Sequence, residues 1–214
     1  MKFVFNASGA NTPVIKEFDI ASSTVINEGA AVGLKNGLVV AATSADVILG
    51  VAAETHKGTA DILNPRANGT KLRVNISPCA IYNVPYQKIT ATGGSATTVT
   101  CSGTNLSTSL AAGKLVLVSK GASSTNTDKL GTVRTISACA ISSGTATITV
   151  SSGGTAASGD VYALLFAPGT EVYLDSTGKN AVMYNSSTTV KLIAATSDTD
   201  TLECGMKLKA QYLA

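Results

Sequence analysis

Hydrophobic positions in this chain come in short runs, many alternating with polar residues, and no window sustains a helical period; Thr12 to Ala21 comes nearest. Asn27-Glu28-Gly29 predicts a turn, Ala31 to Leu34 a strand and Leu38 to Ala41 its return. Between them, Lys35-Asn36-Gly37 is a hairpin turn, because Asn-Gly supplies the two positive φ angles of a type I′ turn. Val47 to Ala52 completes a small meander. After Gly58 a polar linker carries Asn64-Pro65 and Asn68-Gly69. Lys71 to Ile76 then alternates as a strand with one wet face, and Ala80 to Tyr86 reads as another strand, ended by Pro85.

From Lys88 to Phe166 the texture turns Ser/Thr/Gly-rich and repeats. Lys88-Ile-Thr-Ala-Thr, Thr98-Val-Thr-Cys101 and Ala111 to Val118 align with Thr135-Ile-Ser-Ala-Cys, Thr147-Ile-Thr-Val150 and Ala157 to Leu164. Each half reads strand, turn, strand, loop, Gly turn, strand, and two such units can cover each other's apolar faces where a lone hairpin cannot. Gly169 to Leu174, the turn Asp175 to Asn180 and Ala181 to Tyr184 restore the pattern of the first meander. Lys191 to Ala194 and Met206 to Leu213 complete it, the last as an expected edge strand. The prediction is an all-β protein in three parts. An extended N-terminal arm spans 1–13, a β-meander or barrel-like base domain spans 14–87 plus 167–214, and an inserted β-sandwich or small β-barrel module spans 88–166.

Composition narrows the function. Among 214 residues aromatics make up 5% and Trp is absent, so burial falls to Val, Ile, Leu and Ala. Charged residues are 14%, and the net charge of +3 is spread thinly, whereas nucleic-acid binding needs clustered Lys and Arg. Phe3-Val4-Phe5 is too short for a secretory signal core, and no segment approaches the roughly 20 apolar residues of a membrane helix. The expected compartment is a cytoplasm. Cys79, Cys101, Cys139 and Cys204 are widely spaced without a C-x-x-C pair and read as buried free thiols; Cys101 and Cys139 could pair only from adjacent strands.

Catalytic signatures are missing: neither phosphate-cradling glycine motif nor a G-x-S-x-G elbow occurs. His56, near Glu54, is the sole imidazole and reads as a solvated loop residue. Asp198, Asp200 and Glu203 form the one acidic cluster, without the glycine and ligand series of a calcium loop, and Asp160 and Asp175 sit where turns want carboxylates. The sequons at Asn6, Asn68, Asn75, Asn105 and Asn185 follow from the Ser/Thr content. Tyr162, Tyr173 and Tyr184 are the candidate stacking platforms for a sugar. No residue is assigned a catalytic, cofactor-binding or metal role, and the expectation is a protein that is not an enzyme.

The segment Gly29-Ala-Ala-Val-Gly-Leu-Lys-Asn-Gly-Leu-Val-Val-Ala-Ala-Thr-Ser-Ala-Asp-Val-Ile-Leu-Gly-Val-Ala52 resembles the bacteriophage capsid decoration proteins, the head auxiliary or cement family. Gly169-Thr-Glu-Val-Tyr-Leu-Asp-Ser-Thr-Gly-Lys179 is similar to a second, weaker version. The resemblance implies a structural virion protein on the capsid exterior, assembled in the bacterial host cytoplasm. Its implied partners are the major capsid protein and itself, as a homotrimer, with no nucleic acid, membrane or cofactor. On that reading the base domain lies against the shell and the inserted module projects outward. A head fibre or tail protein, or a carbohydrate-binding module recognising a host surface glycan, are the alternatives.

Overall fold

The computed structural model describes residues 1–6, 12–77, 80–110, 113–175, 177–185 and 191–208, with the backbone alone at 5 and 6. Its strands are β1 (Lys2–Asn6), β2 (Ile15–Asp19), β3 (Ala31–Lys35), β4 (Leu38–Ala41), β5 (Val47–Ala52), β6 (Lys71–Asn75) and β7 (Ala80–Pro85). There follow β8 (Gln87–Gly94), β9 (Thr98–Ser102), β10 (Lys114–Ser119), β11 (Val133–Ser142), β12 (Thr145–Val150) and β13 (Val161–Leu165). The last are β14 (Glu171–Leu174), β15 (Ala181–Val182), β16 (Lys191–Asp198) and β17 (Glu203–Leu208), and one 3-10 turn lies at Ala42–Ser44. The protein is all-β, and its three sheets are antiparallel.

The first sheet runs β2-β6-β5-β3-β4. Its β3–β4 hairpin turns on Asn36 (φ 52°) and Gly37 (φ 80°), as the Asn-Gly signal predicts. The outer strands β2 and β4 approach each other within 8 Å between Cα atoms, so the sheet curls around Ile20, Val32, Val39, Leu49, Leu72 and Val74. β6 has the expected single wet face: Leu72 and Val74 point inward, while Lys71 and Arg73 point out to Asp19 and Glu54. The glycine in Ile48-Leu-Gly-Val-Ala52 has a steric reason. A Cβ at Gly50 would be driven into the carbonyl oxygen of Asn75, so β5 can lie against the end of β6 only without a side chain there.

The second sheet, β1-β7-β17-β16-β14-β15, is built from both ends of the described chain. Lys2–Asn6, within the expected arm, is a strand on the sheet margin with Phe3 opposite Tyr82; residues 7–11 lie outside the described residues. The 169–184 segment forms the β14–β15 hairpin, in which Leu174 faces Ala181 and the Asp175 carboxylate accepts from the Thr177, Lys179 and Asn180 amides. It pairs with β16 and so belongs to this sheet instead of completing the first meander. The final strand is also placed differently from the expectation. It begins at Glu203 and sits between β7 and β16, an interior position, and the expected run beyond Leu208 lies outside the described residues. Alternation reports which face is buried, and it is silent about whether a neighbour occupies each edge.

The third sheet is a closed ring, β10-β11-β12-β9-β8-β13, drawn entirely from Gln87–Leu165 between β7 and β14. Each half of the repeat supplies three strands, and each lends its third to the other: β10 pairs with β11 and β13, and β13 pairs with β8 and β10. Aligning Thr98-Val-Thr-Cys101 with Thr147-Ile-Thr-Val150 carries the β9–β12 register onto itself. Thr98↔Thr149 exchanges with Thr100↔Thr147, and Val99↔Ile148 is unchanged. Across β10–β13, Val116↔Ala163 and Leu117↔Tyr162 exchange in the same way. The ring therefore has an approximate two-fold arrangement. Its interior residues, among them Leu115, Ile136, Ile148 and Leu164, form one continuous apolar cluster with Val172, Leu192 and Met206 of the second sheet.

Gly50→Ala is expected to lower stability by about 1–3 kcal/mol, the range for forcing atoms into a packed interior, read as a reduced urea midpoint. An unchanged midpoint would show that β5 and β6 do not approach as described.

Candidate functional site

The residues singled out in the sequence do not converge. His56 is fully buried instead of solvated: Nδ1 lies 2.6 Å from Thr24 O, Nε2 lies 2.8 Å from Gly69 O, and its backbone exchanges hydrogen bonds with Ile26. The loop that carries it folds back over the end of the first sheet, which local sequence does not report. Asp198 is the acceptor for the Asp200 amide at 2.8 Å in the β16–β17 turn, and Glu203 bonds the side-chain amide of Asn83 across to β7. Among the described residues no three His, Cys, Asp or Glu side chains are grouped to hold a metal.

Tyr162 is fully buried in the ring and is no stacking platform, because its position on β13 faces inward. Tyr173 and Tyr184 do meet, edge to face with ring centroids 5.5 Å apart, and Lys191 Nζ lies 5.4 Å from the Tyr173 ring centre. Cys101, Cys139 and Cys204 are buried free thiols, while Cys79 lies outside the described residues. β12 separates the strands of Cys101 and Cys139. Burial, with the neighbouring Cys139 as a lesser cause, pushes the Cys101 thiol up to about 11, which leaves it unreactive at neutral pH.

Sequence reasoning missed a buried polar cluster inside the ring. Arg134 on β11, 1% exposed, donates from Nε to Asp128 at 2.8 Å and from Nη2 to Gly154 O, while Nη1 has no partner. Asp128 also accepts from the Gly154 amide at 2.8 Å. Asn126 donates to Asp160 and to the Tyr162 hydroxyl, each at 2.9 Å, and Asp160 accepts from the Gly121 and Ala157 amides. Burial alone would raise both carboxyls. Hydrogen bonds outweigh it and hold them below the usual range: Ser124, Asn126, Gly121 and Ala157 at Asp160, and Gly154 and Arg134 at Asp128. Both carboxylates are spent on internal donors. The cluster latches the β10–β11 loop over the ring, and the one signal for it in the sequence is the charged residues interrupting a Ser/Thr-rich stretch.

The surface offers a different feature. Ile62 and Leu63 are 101% and 94% exposed, adjacent, and at the tip of the loop between β5 and β6. That loop is firmly built. The Lys57 and Gly58 amides bond Ala67 O, Asn64 Nδ2 bonds Thr55 O, and Asp61 Oδ1 accepts the Leu63 amide while pairing with Lys57. Arg66 ties its far side to Glu17 at 2.8 Å and to Glu54 at 3.2 Å. Val25, 64% exposed, lies on the segment bridged to His56. Ile62 and Leu63 are thus an aliphatic pair held in water on an ordered loop. In the sequence the trace of it is Asp61-Ile-Leu-Asn-Pro65, an aliphatic pair among turn formers.

Comparison of this chain with protein-family models, with curated proteins and with solved structures finds no match.

Asp128→Asn removes the charge that neutralises buried Arg134 and is expected to cost about 3–5 kcal/mol at neutral pH. Because the native carboxyls are depressed, their stabilisation is complete above about pH 5 and is lost as pH falls below about 4 and through their folded-state values. The stability gap between wild type and variant should therefore narrow in urea titrations as pH falls below about 4; a gap that stays constant with pH would rule out the latch as an ionic device.

Proposed function

We propose that this protein is a structural virion component that binds the outer surface of an assembled phage capsid and stabilises it, acting through cohesion between protein surfaces and not through turnover of a substrate. The observation that carries the reading is the aliphatic tip Ile62-Leu63, presented on a braced loop of the first sheet. Burying a Leu or Ile side chain is worth about 1.5–3 kcal/mol. One such tip is a weak anchor, and several presented together by a homotrimer to a repetitive shell would bind far more tightly than one alone.

The resemblance of Gly29–Ala52 to decoration proteins supports the same reading, since that segment forms β3, β4 and β5, and the Ile62-Leu63 loop leaves directly from β5. The base sheets would then face the major capsid protein and the ring would point outward. The ring's origin in one continuous stretch between two strands of the second sheet is compatible with a module added to a docking base. The Tyr173–Tyr184 pair, with Tyr184 45% exposed, favours a second reading, a carbohydrate-binding module that recognises a host glycan.

Wild-type protein should co-sediment with expanded capsids and run as a trimer in analytical ultracentrifugation. The double variant Ile62→Glu, Leu63→Glu should weaken capsid binding by at least about tenfold with an unchanged circular dichroism spectrum, given two buried aliphatics at the above magnitude. Failure of the wild type to bind any capsid, together with glycan-array binding abolished by Tyr184→Ala, would replace this reading with the second.

A further inference from the structure

We propose that His56 is a buried imidazolium staple whose second proton holds the Ile62-Leu63 loop closed, so that the loop loosens when the ring gives that proton up. Both ring nitrogens face backbone carbonyl oxygens, Thr24 O at 2.6 Å and Gly69 O at 2.8 Å. Carbonyl oxygens only accept. A neutral imidazole carries one N–H, so in either tautomer one nitrogen lone pair would confront an oxygen lone pair at hydrogen-bonding distance. Only the doubly protonated ring donates to both, and with the residue fully buried no solvent competes for either position.

The two oxygens belong to different segments. Thr24 lies on the stretch leading into Ile26, and Gly69 closes the far end of the loop before β6. The ring therefore clasps both ends of the structure that presents Ile62 and Leu63. The charged side chains of the same loop and the adjoining strands β2 and β6 pair with one another: Glu54 with Arg66 and Arg73, Lys57 with Asp61, Glu17 with Arg66, and Asp19 with Lys71. Residues 21–27 contribute no charge, and Glu28 follows them. The imidazolium is thus held by the two carbonyl oxygens. The second proton is part of the closed form, so its removal breaks one of the two bonds that clasp the loop.

His56 is the sole histidine of the chain, so a 15N-histidine label reports one ring. Long-range 1H–15N spectra of the full chain, taken from about pH 5 to about pH 8 where imidazoles ordinarily titrate, should show two protonated nitrogens at the acid end. Loss of the second proton should coincide with a roughly tenfold fall in the protection factors of the Ile26, Lys57 and Gly58 amides, with Val99 and Ile148 in the ring unchanged. A ring with a single proton throughout and a fully protected loop, or a ring that titrates with no change in protection, overturns the staple. His56→Gln should abolish the pH dependence of loop protection; if that variant does not fold, the wild-type titration decides alone. The link to docking rests on the function proposed above and is read separately, by capsid co-sedimentation across the same range. Binding that weakens as the loop opens supports the gate, and pH-independent binding over an opening loop refutes it. No binding at any pH refutes the docking function and leaves the staple standing.

Discussion

Small aliphatic side chains exclude water only when a second layer of chain covers them, and this constraint shapes the whole molecule. With aromatics at 5% and no Trp, few large rings are present to cover an open sheet face. The chain answers with closure. β13 returns to β10 so that six strands enclose Leu115, Ile136, Ile148 and Leu164, and the first sheet curls until β2 and β4 nearly meet around Leu49 and Val74. Closure also removes strand edges, the usual liability of an all-β protein. The exchange of third strands between the two repeat halves makes neither half a closed unit without the other.

Closed sheets leave their ends to be sealed, and here polar groups perform that task. In the ring a loop is held through Arg134, Asp128, Asn126 and Asp160, and at the first sheet the segments before β3 and before β6 are gathered on His56. Both arrangements pair charged or strongly polar side chains with backbone groups, so they are geometrically demanding and costly to leave half-made.

A braced loop would suit the docking role proposed for this surface. Flexible tips lose conformational entropy on docking, whereas a tip already held by Ala67, Thr55 and Asp61 presents Ile62 and Leu63 with that cost already met in folding. In the proposed docking role the same bracing would connect the tip to the hydrogen bonds of one buried ring, because His56 and the tip are parts of a single loop. The ring of β8–β13 lies apart in the chain from this loop and shares its apolar core with the second sheet instead.

The amino-acid sequence alone determined what depends on neighbours along the chain. Asn36-Gly37 dictated its hairpin through two positive φ angles, Lys71 to Asn75 declared one wet face, and the repeat between Lys88 and Phe166 announced two equivalent three-stranded units. Tertiary structure decided what depends on neighbours across space: β17 in the interior of a sheet, β12 between Cys101 and Cys139, Tyr162 inside the ring, and His56 between two distant carbonyls. The reason is physical. Periodicity and turn chemistry act over a few residues, but the identity of a strand's partner and the burial of a loop side chain are set by long-range hydrogen-bond closure, which leaves no local trace.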